Sequence, residues 1–576
     1  MQNNTAPAST DSKLNEDAFH PVPKTRRGLA VALALGVAFL SMLLLLAHSH
    51  ALPMTWDEGN AILRSDQIRE WTTAVLAPER SDLPVDPWSQ DGIRHGWPFT
   101  TQVEGHPPFY AVVISTGRML SESWLSPLQS ARFGPILLFS LAIGVVCYRL
   151  QIDYGRVTAL TTVAAIFCLP RLLVHAQTAS FDGPLTACWL LCWAAFIPAS
   201  RSWRWIPLWG LTLGLVLSCK VTGWFAPIPF VVWIMLYPRR SHFLALAVGL
   251  PIAILAFFSL NPPLWFEPVA GFQEFYHLNV TREKFNIATQ FLGEMYNRDN
   301  PLPCWNTLFW TAVTVPVGLL ILLPFGLVRV VREWRVQPLG LLLLGHWLIL
   351  LVVRALPIAP PHDGVRLFVT SFAFLAILLG LGFDAAQRTA LARRNPMIRI
   401  VSVACPTILL ISAVSSVLWY APHGLSYYNL LIGGQSGAVQ AGMESTYYWD
   451  GLDADVIDWL NENTPEGYVV VVGSPSYENL RLQREWGEIE PYVIPLRDAL
   501  SQWDHAPQFR WYVVQHRPSG QSSVDRRLIE SYEPVYRKTL PRSGPGPWRC
   551  DAPLVEVYDF QDFLRAYQDQ VADENQ

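Results

Sequence analysis

Charge is what this sequence has least of. Only 15% of its 576 residues are Asp, Glu, Lys or Arg, whereas soluble domains carry about 25%, and an ordinary soluble enzyme is excluded on that ground. Cysteine is sparse in any useful arrangement. No Cys-x-x-Cys or His/Cys cluster has metal-ligand spacing, and Cys168, Cys188, Cys192, Cys219 and Cys405 fall inside apolar runs. Neither a disulfide framework nor a zinc site follows; these cysteines read as small core residues. A formal net charge of −4 offers nothing to a nucleic-acid backbone. Internal repeats, low-complexity tracts and heptads are also missing.

What the chain does have is apolar residues, 51% of the total, gathered into runs. A hydrocarbon core roughly 30 Å thick needs about 20 residues of helix, and the runs meet that length. The fold class is a polytopic α-helical membrane protein. Its 24 Trp and 45 Pro suit one, because Trp gathers at membrane interfaces and Pro is tolerated at helix ends and in structured loops. Residues 1–20 are polar and read as a disordered tail. Lys24, Arg26 and Arg27 then precede the run 28–47. That run is long for a signal-peptide core and no small-residue cleavage site follows, so it reads as an uncleaved first span.

About eleven spans are expected: 28–47, 131–150, 157–175, 184–199, 203–219, 222–237, 242–260, 305–328, 337–356, 367–386 and 399–420. With the N-terminus inside, the inner connections collect Arg149 and Arg156, Arg201 and Arg204, Arg239 and Arg240, Arg329, Arg332 and Arg335, and Arg388, Arg393, Arg394 and Arg399. That is the positive-inside pattern. The division is then a cytoplasmic tail, 1–27; a membrane domain, 28–420, with long external loops 48–130 and 261–304; and a C-terminal extracytoplasmic region, 421–576. In the last, a helix at 455–462 and strands at 468–472, 509–515 and 554–559 predict a small α/β domain.

The chemistry-bearing residues share the outer face. Met54-Thr55-Trp56-Asp57-Glu58-Gly59-Asn60 opens the first external loop, which also holds Glu104-Gly105-His106-Pro107-Pro108-Phe109-Tyr110 and an apolar stretch, 109–120, that fits a helix lying in the interface. Asp182, Lys220, His362, Asp363, Arg366 and Glu444 come from other connections on the same side. Taken singly, Asp182 or His106 reads most simply as an ordinary residue near a helix end. Together, carboxylates and cations at one membrane boundary point to function. Cations such as Lys220 and Arg366 suit the phosphate head of a lipid. A carboxylate such as Asp57 suits proton removal from an attacking hydroxyl.

These stretches carry a resemblance. The chain resembles the membrane-embedded C-type (GT-C) glycosyltransferases, in the branch of protein O-mannosyltransferases and aminoarabinose lipid A transferases, of bacterial type. The acidic pair Asp57-Glu58 at the start of the first external loop is similar to that superfamily's hallmark. His106-Pro-Pro-Phe-Tyr, Ser180-Phe-Asp-Gly-Pro-Leu, Leu217-Ser-Cys-Lys-Val-Thr-Gly and Asn261-Pro-Pro-Leu-Trp resemble further elements of the branch, in order, over about 50–420. The resemblance implies an inverting transfer of a sugar, mannose-like or another hexose or pentose, from a polyprenyl or dolichyl monophosphate to a hydroxyl of a protein, lipid or cell-surface glycan. It implies that Asp57, with Glu58 beside it, is catalytic. His106, Asp182 and Glu444 would position the acceptor or order the loops, and Lys220 and Arg366 would hold the donor phosphate. No metal or other cofactor is expected, since the pair lacks Asp-x-Asp spacing. The 261–304 loop is too short for the β-trefoil of the mannosyltransferases, so protein O-mannosylation is not implied, and a bacterial inner membrane is the expected location.

A lipid-linked sugar transporter or flippase is the alternative. It predicts polar residues at mid-span, broken helices at the midplane or a two-fold hydropathy pattern; the polar groups here crowd one face. A structural or sensory membrane protein gives no reason for the acidic pair, His106 and Lys220 to gather. The sequon Asn279-Val280-Thr281 lies in an outer loop.

Overall fold

The computed structural model describes residues 24–97, 105–281, 287–474, 476–501 and 508–574. The expected disordered tail, with Glu104 of the first external loop, lies outside them. Among the described residues, five helices are long and apolar enough to cross a membrane by length and composition: Arg27–Ser49, Pro127–Asp153, Arg240–Ser259, Arg366–Leu391 and Pro396–Tyr420. Their ends follow from sequence. Ser126 accepts a hydrogen bond from the Gln129 amide and Asn395 accepts from Met397 and Ile398, each just before a proline that suits a first turn.

Other expected spans differ from continuous rods. The 157–175 segment divides into Arg156–Phe167 and Pro170–His175, and 305–328 into Asn306–Thr314 and Val317–Glu333. Pro170 and Pro316 mark the breaks, since proline has no amide to donate and restricts the residue before it. The segments near 203 and 221 each begin with a tight 3-10 turn, Trp203–Trp205 and Val221–Phe225. At the second break the freed backbone is satisfied from elsewhere. Asn429 donates its side-chain amide to Ala312 O and Val315 O, both at 2.6 Å, and its own N–H to Val313 O at 2.8 Å.

The Val369–Leu391 helix forms the centre, buried along nearly its whole apolar length against the helices Arg156–Phe167, Val317–Glu333 and Leu339–Arg354. Backbones meet there directly. A Cβ at Gly326 or Gly382 would stand 2.2 Å from Leu378 O or Leu322 O respectively, so only glycine allows the approach. The Arg27–Ser49 and Pro396–Tyr420 helices instead leave Leu35, Phe39, Ile408 and Leu418 exposed. Bare apolar belts of this kind suit a lipid surround.

In the first external loop, Glu58–Leu76 and Phe109–Ser121 are helices, and the latter packs its Gly117 on Gly134 of Pro127–Asp153. The second loop holds the helix Pro268–Thr281 and a hairpin of β1 (Thr289–Phe291) and β2 (Glu294–Tyr296).

After Tyr420 the chain runs along the mouth of the helical body and then forms a five-stranded sheet in the order β4-β3-β5-β7-β6. The strands are β3 (Val469–Val472), β4 (Tyr492–Pro495), β5 (Phe509–Gln515), β6 (Tyr536–Lys538) and β7 (Val555–Asp559). β3 pairs parallel with β4 and β5, while β7 pairs antiparallel with β5 and β6. The parallel β3–β4 pair needs a crossover, which the helix Tyr477–Glu485 supplies. The sequence reading does not foresee the edge strands β4 and β6. Both are short and one-sided, so their apolar signal is weak.

Candidate active site

Asp57 and Glu58 are adjacent in sequence and opposite in surroundings. Glu58 opens the Glu58–Leu76 helix and turns back, accepting from the Thr55 amide at 2.8 Å and the Thr55 hydroxyl at 3.1 Å. The Ala179 amide adds a bond at 2.8 Å, and Arg132 forks onto both carboxylate oxygens at 2.8 and 2.7 Å. Burial alone would push this carboxyl up, but Arg132 and the hydrogen bonds outweigh it and hold Glu58 below the usual carboxylate range. The same guanidinium donates to Ser49 O, Leu52 O and Pro53 O. Glu58 thus ties the end of the first long helix to the loop.

Asp57 faces the other way, into a ladder of buried charge. Lys220 Nζ donates to Asp182 Oδ1 at 2.7 Å, and Arg366 Nε donates to Asp182 Oδ2 at 3.0 Å. Arg366 also pairs with Asp363 at 2.5 Å and, through Nη2, with Asp57. Arg517 continues the ladder, 3.3 Å from Asp363 and 3.4 Å from Glu444. Three cations stand among four carboxylates. Asp57 is the most open of the four, its side chain 19% exposed, against 1%, 6% and 0% for Asp182, Asp363 and Glu444.

Burial pushes the Asp363 carboxyl up, yet His362, Arg366 and Arg517 together hold it well below the usual range. Glu444 comes out the other way. Its burial outweighs Arg517 and the bonds from Ser519 and Gln290, and the carboxyl is raised.

The ladder forms one wall of a cavity of about 660 Å³ reached by Asp57, His106, Lys220, His362, Asp363 and Arg366. Phe181 lies beneath the cations, its ring centroid 4.5 Å from Lys220 Nζ and 5.0 Å from Arg366 Cζ; ring faces attract such charges. Trp56 stacks on Trp449 at 4.2 Å, also on the wall. The lining also includes the apolar Phe272, Leu350, Val353, Leu356 and Ile358, the last two exposed at the surface. Asp363 and Trp449 adopt the left-handed region, with φ of 63° and 52°. Such conformations persist where surrounding contacts enforce them, and they cluster at functional sites.

His106 reaches the cavity through its neighbours. Gly105 turns with φ of 64°, and its carbonyl accepts from Asn279 Nδ2 at 2.8 Å. The Asn279 of the sequon therefore braces the His106 turn, and a second bond to Phe275 O at 2.8 Å holds its amide on the Pro268–Thr281 helix.

Of the expected residues, Asp57, His106, Asp182, Lys220, Arg366 and Glu444 are on the cavity wall or in its ladder, while Glu58 is sealed behind it. Sequence reasoning missed Arg132, Arg354 and Arg517. Arg132 and Arg354 carry a legible signal, a lone cation within or ending an apolar run; Arg517 carries none.

Residues 105–266 match the family model described as dolichyl-phosphate-mannose-protein mannosyltransferase. Over that segment the chain is similar to that family. The matched stretch takes in His106, Asp182, Lys220 and the Asn261-Pro-Pro-Leu-Trp string, so the match and the motif resemblance name the same family. Among solved structures, ArnT from Cupriavidus metallidurans bound to undecaprenyl phosphate is similar at 15% identity and a TM-score of 0.48, covering 93% of this chain and 98% of its own. Its apo state gives 13% identity and 0.48, covering 92% and 98%. The archaeal oligosaccharyltransferase AglB from Archaeoglobus fulgidus, in complex with an inhibitory peptide and a dolichol-phosphate, gives 11% identity and 0.47, covering 84% of this chain and 69% of its own. Comparison with curated proteins gives no match.

Proposed function

We propose that the chain is an inverting glycosyltransferase that moves a sugar from a polyprenyl monophosphate sugar to a hydroxyl acceptor on the extracytoplasmic side of a membrane. The observation that carries this reading is the position of Asp57: the most open carboxylate of the ladder, in a cavity lined both by buried cations and by apolar side chains. In the reaction the acceptor oxygen attacks the anomeric carbon. The carbon–oxygen bond to the phosphate breaks, and its electron pair stays on the phosphate oxygen. Asp57 takes the acceptor proton, oriented for it by Arg366. Cations near the phosphate stabilise the charge that develops there.

Lys220 and Arg366 serve the donor side. His106, Asp182 and Glu444 shape the loops and the acceptor side, and Glu58 supports Asp57 through the backbone. No metal is assigned, because Arg366 fills the space among Asp57, Asp182 and Asp363. The basic inner connections support a cytoplasmic N-terminus, and the membrane in this reading is a bacterial inner membrane. Residues 28–420 then form the transferase body, and 421–576 an extracytoplasmic region. The acceptor is a protein, a lipid or a cell-surface glycan.

The test uses purified protein, a panel of radiolabelled polyprenyl-phosphate sugars and host membrane extract as acceptor, beside Asp57→Asn. Transfer by the wild type and none by the variant is expected, with the variant still binding donor. If no donor is consumed and lipid movement across vesicles survives the substitution, the transferase reading is wrong and a transporter replaces it.

A further inference from the structure

The ladder pairs its own cations with carboxylates, whereas among the described residues Arg354 of the cavity has no such pairing. Arg354 ends the Leu339–Arg354 helix, 4% exposed, and stands on the cavity wall. Its Nε and Nη2 are buried without a hydrogen-bond partner, and among the described residues no ion pair reaches it. Lys220 and Arg366, by contrast, are drawn onto Asp182, Asp57 and Asp363. Asp363 attracts this guanidinium only from beyond ion-pair distance, and a buried charge so weakly compensated destabilises a fold and calls for a partner. Its immediate neighbours Leu350, Val353 and Leu356 are apolar and share the wall that runs to the exposed Ile358. A charged head next to an apolar channel fits an anionic lipid.

We infer that Arg354 is the principal anchor for the phosphate of the polyprenyl monophosphate donor, with the lipid chain lying along Leu350, Val353, Leu356 and Ile358. This rests on the donor class proposed above. The planar guanidinium presents several donors to two phosphate oxygens at once. Lys220 and Arg366 then act chiefly on the carboxylates, setting Asp57 and Asp182, and contribute to the phosphate at longer range.

The experiment compares undecaprenyl monophosphate with undecaprenol, its neutral alcohol, for binding to the full-length protein in detergent, together with the shift each gives in thermal unfolding. The wild type should prefer the phosphate. Arg354→Met should lose that preference, weakening phosphate-lipid binding by about tenfold or more and leaving undecaprenol binding unchanged. Without ligand this variant should unfold at a higher temperature than the wild type, because an unpaired buried charge is gone; a merely structural arginine would give the opposite sign. Arg354→Lys, which keeps the charge, should bind the phosphate lipid with intermediate affinity. If Arg354→Met keeps the wild-type preference, or unfolds earlier with that preference intact, Arg354 is not the anchor. If the wild type itself does not distinguish phosphate from alcohol, the donor class falls and this assignment falls with it.

Discussion

Asn479 grips the Asp57 loop from 420 residues downstream. Its Oδ1 accepts from the Gly59 amide and its Nδ2 donates to Thr55 O, each at 2.8 Å. These backbone groups flank Asp57 and Glu58, and a Cβ at Gly59 would stand 2.5 Å from the same Asn479 Oδ1. The Tyr477–Glu485 helix therefore lies directly on the loop that presents Asp57, and Trp449 stacks on Trp56 from the same downstream stretch. The region after Tyr420 is part of the site's frame.

Asn479→Ala leaves a buried amide and a buried carbonyl beside Asp57 without partners, at about 1–3 kcal/mol each. The expected outcome is a fall in sugar turnover with little change in donor affinity, since no donor-side residue touches Asn479. Parallel measurement of turnover and of polyprenyl-phosphate binding checks it. An equal loss in both would place Asn479 in general stability instead.

Glu58→Ala separates the two neighbouring carboxylates. It strands the fully buried Arg132 and removes the acceptor for three N–H and O–H groups besides. Removing one partner of a buried pair costs about 3–5 kcal/mol, so expression and the unfolding temperature should drop sharply. Asp57→Asn, at a more open position, should leave both close to wild type while abolishing transfer. Similar unfolding temperatures for the two variants would show that the pair works as one unit.

The membrane half of this arrangement is legible in the sequence because polar residues interrupt apolar runs. Asp182, Lys220 and Arg366 stand out in that way, and their pairing in space follows from each lying at the outer end of its helix. Glu58 shows the limit of that logic. Adjacent carboxylates look equivalent in a string of letters, and only the Thr55–Glu58 turn sends one toward Arg132 and the other toward the cavity. Arg517 and Asn479 were out of reach for another reason: each lies in a region of mixed composition, and what gives it meaning is a contact across the fold. The helix breaks were within reach, since Pro170 and Pro316 are present in the runs that read as continuous.

Glu444 and Asp363 face Arg517 from two sides, and their opposite shifts set opposite pH dependences. Other charged or titratable neighbours are His362 and Arg366 at Asp363, and Tyr428 and Tyr447 near Glu444. The raised Glu444 carboxyl is stabilised in its neutral form. Its contribution to stability is fully present below the ordinary value of 4.5 and is lost as pH rises through the raised folded value. Asp363, held well below its ordinary 3.8, contributes above that value and loses it only in strong acid. Glu444→Gln keeps an acceptor for the Ser519 and Gln290 amides and removes the titration. The variant should therefore gain on the wild type as pH rises from about 4.5 toward neutral, and the two should converge in acid. Unfolding temperatures across that range measure the difference. Parallel curves would mean that Arg517 already satisfies the Glu444 charge, in which case Arg517→Gln should destabilise the protein more at neutral pH than in acid.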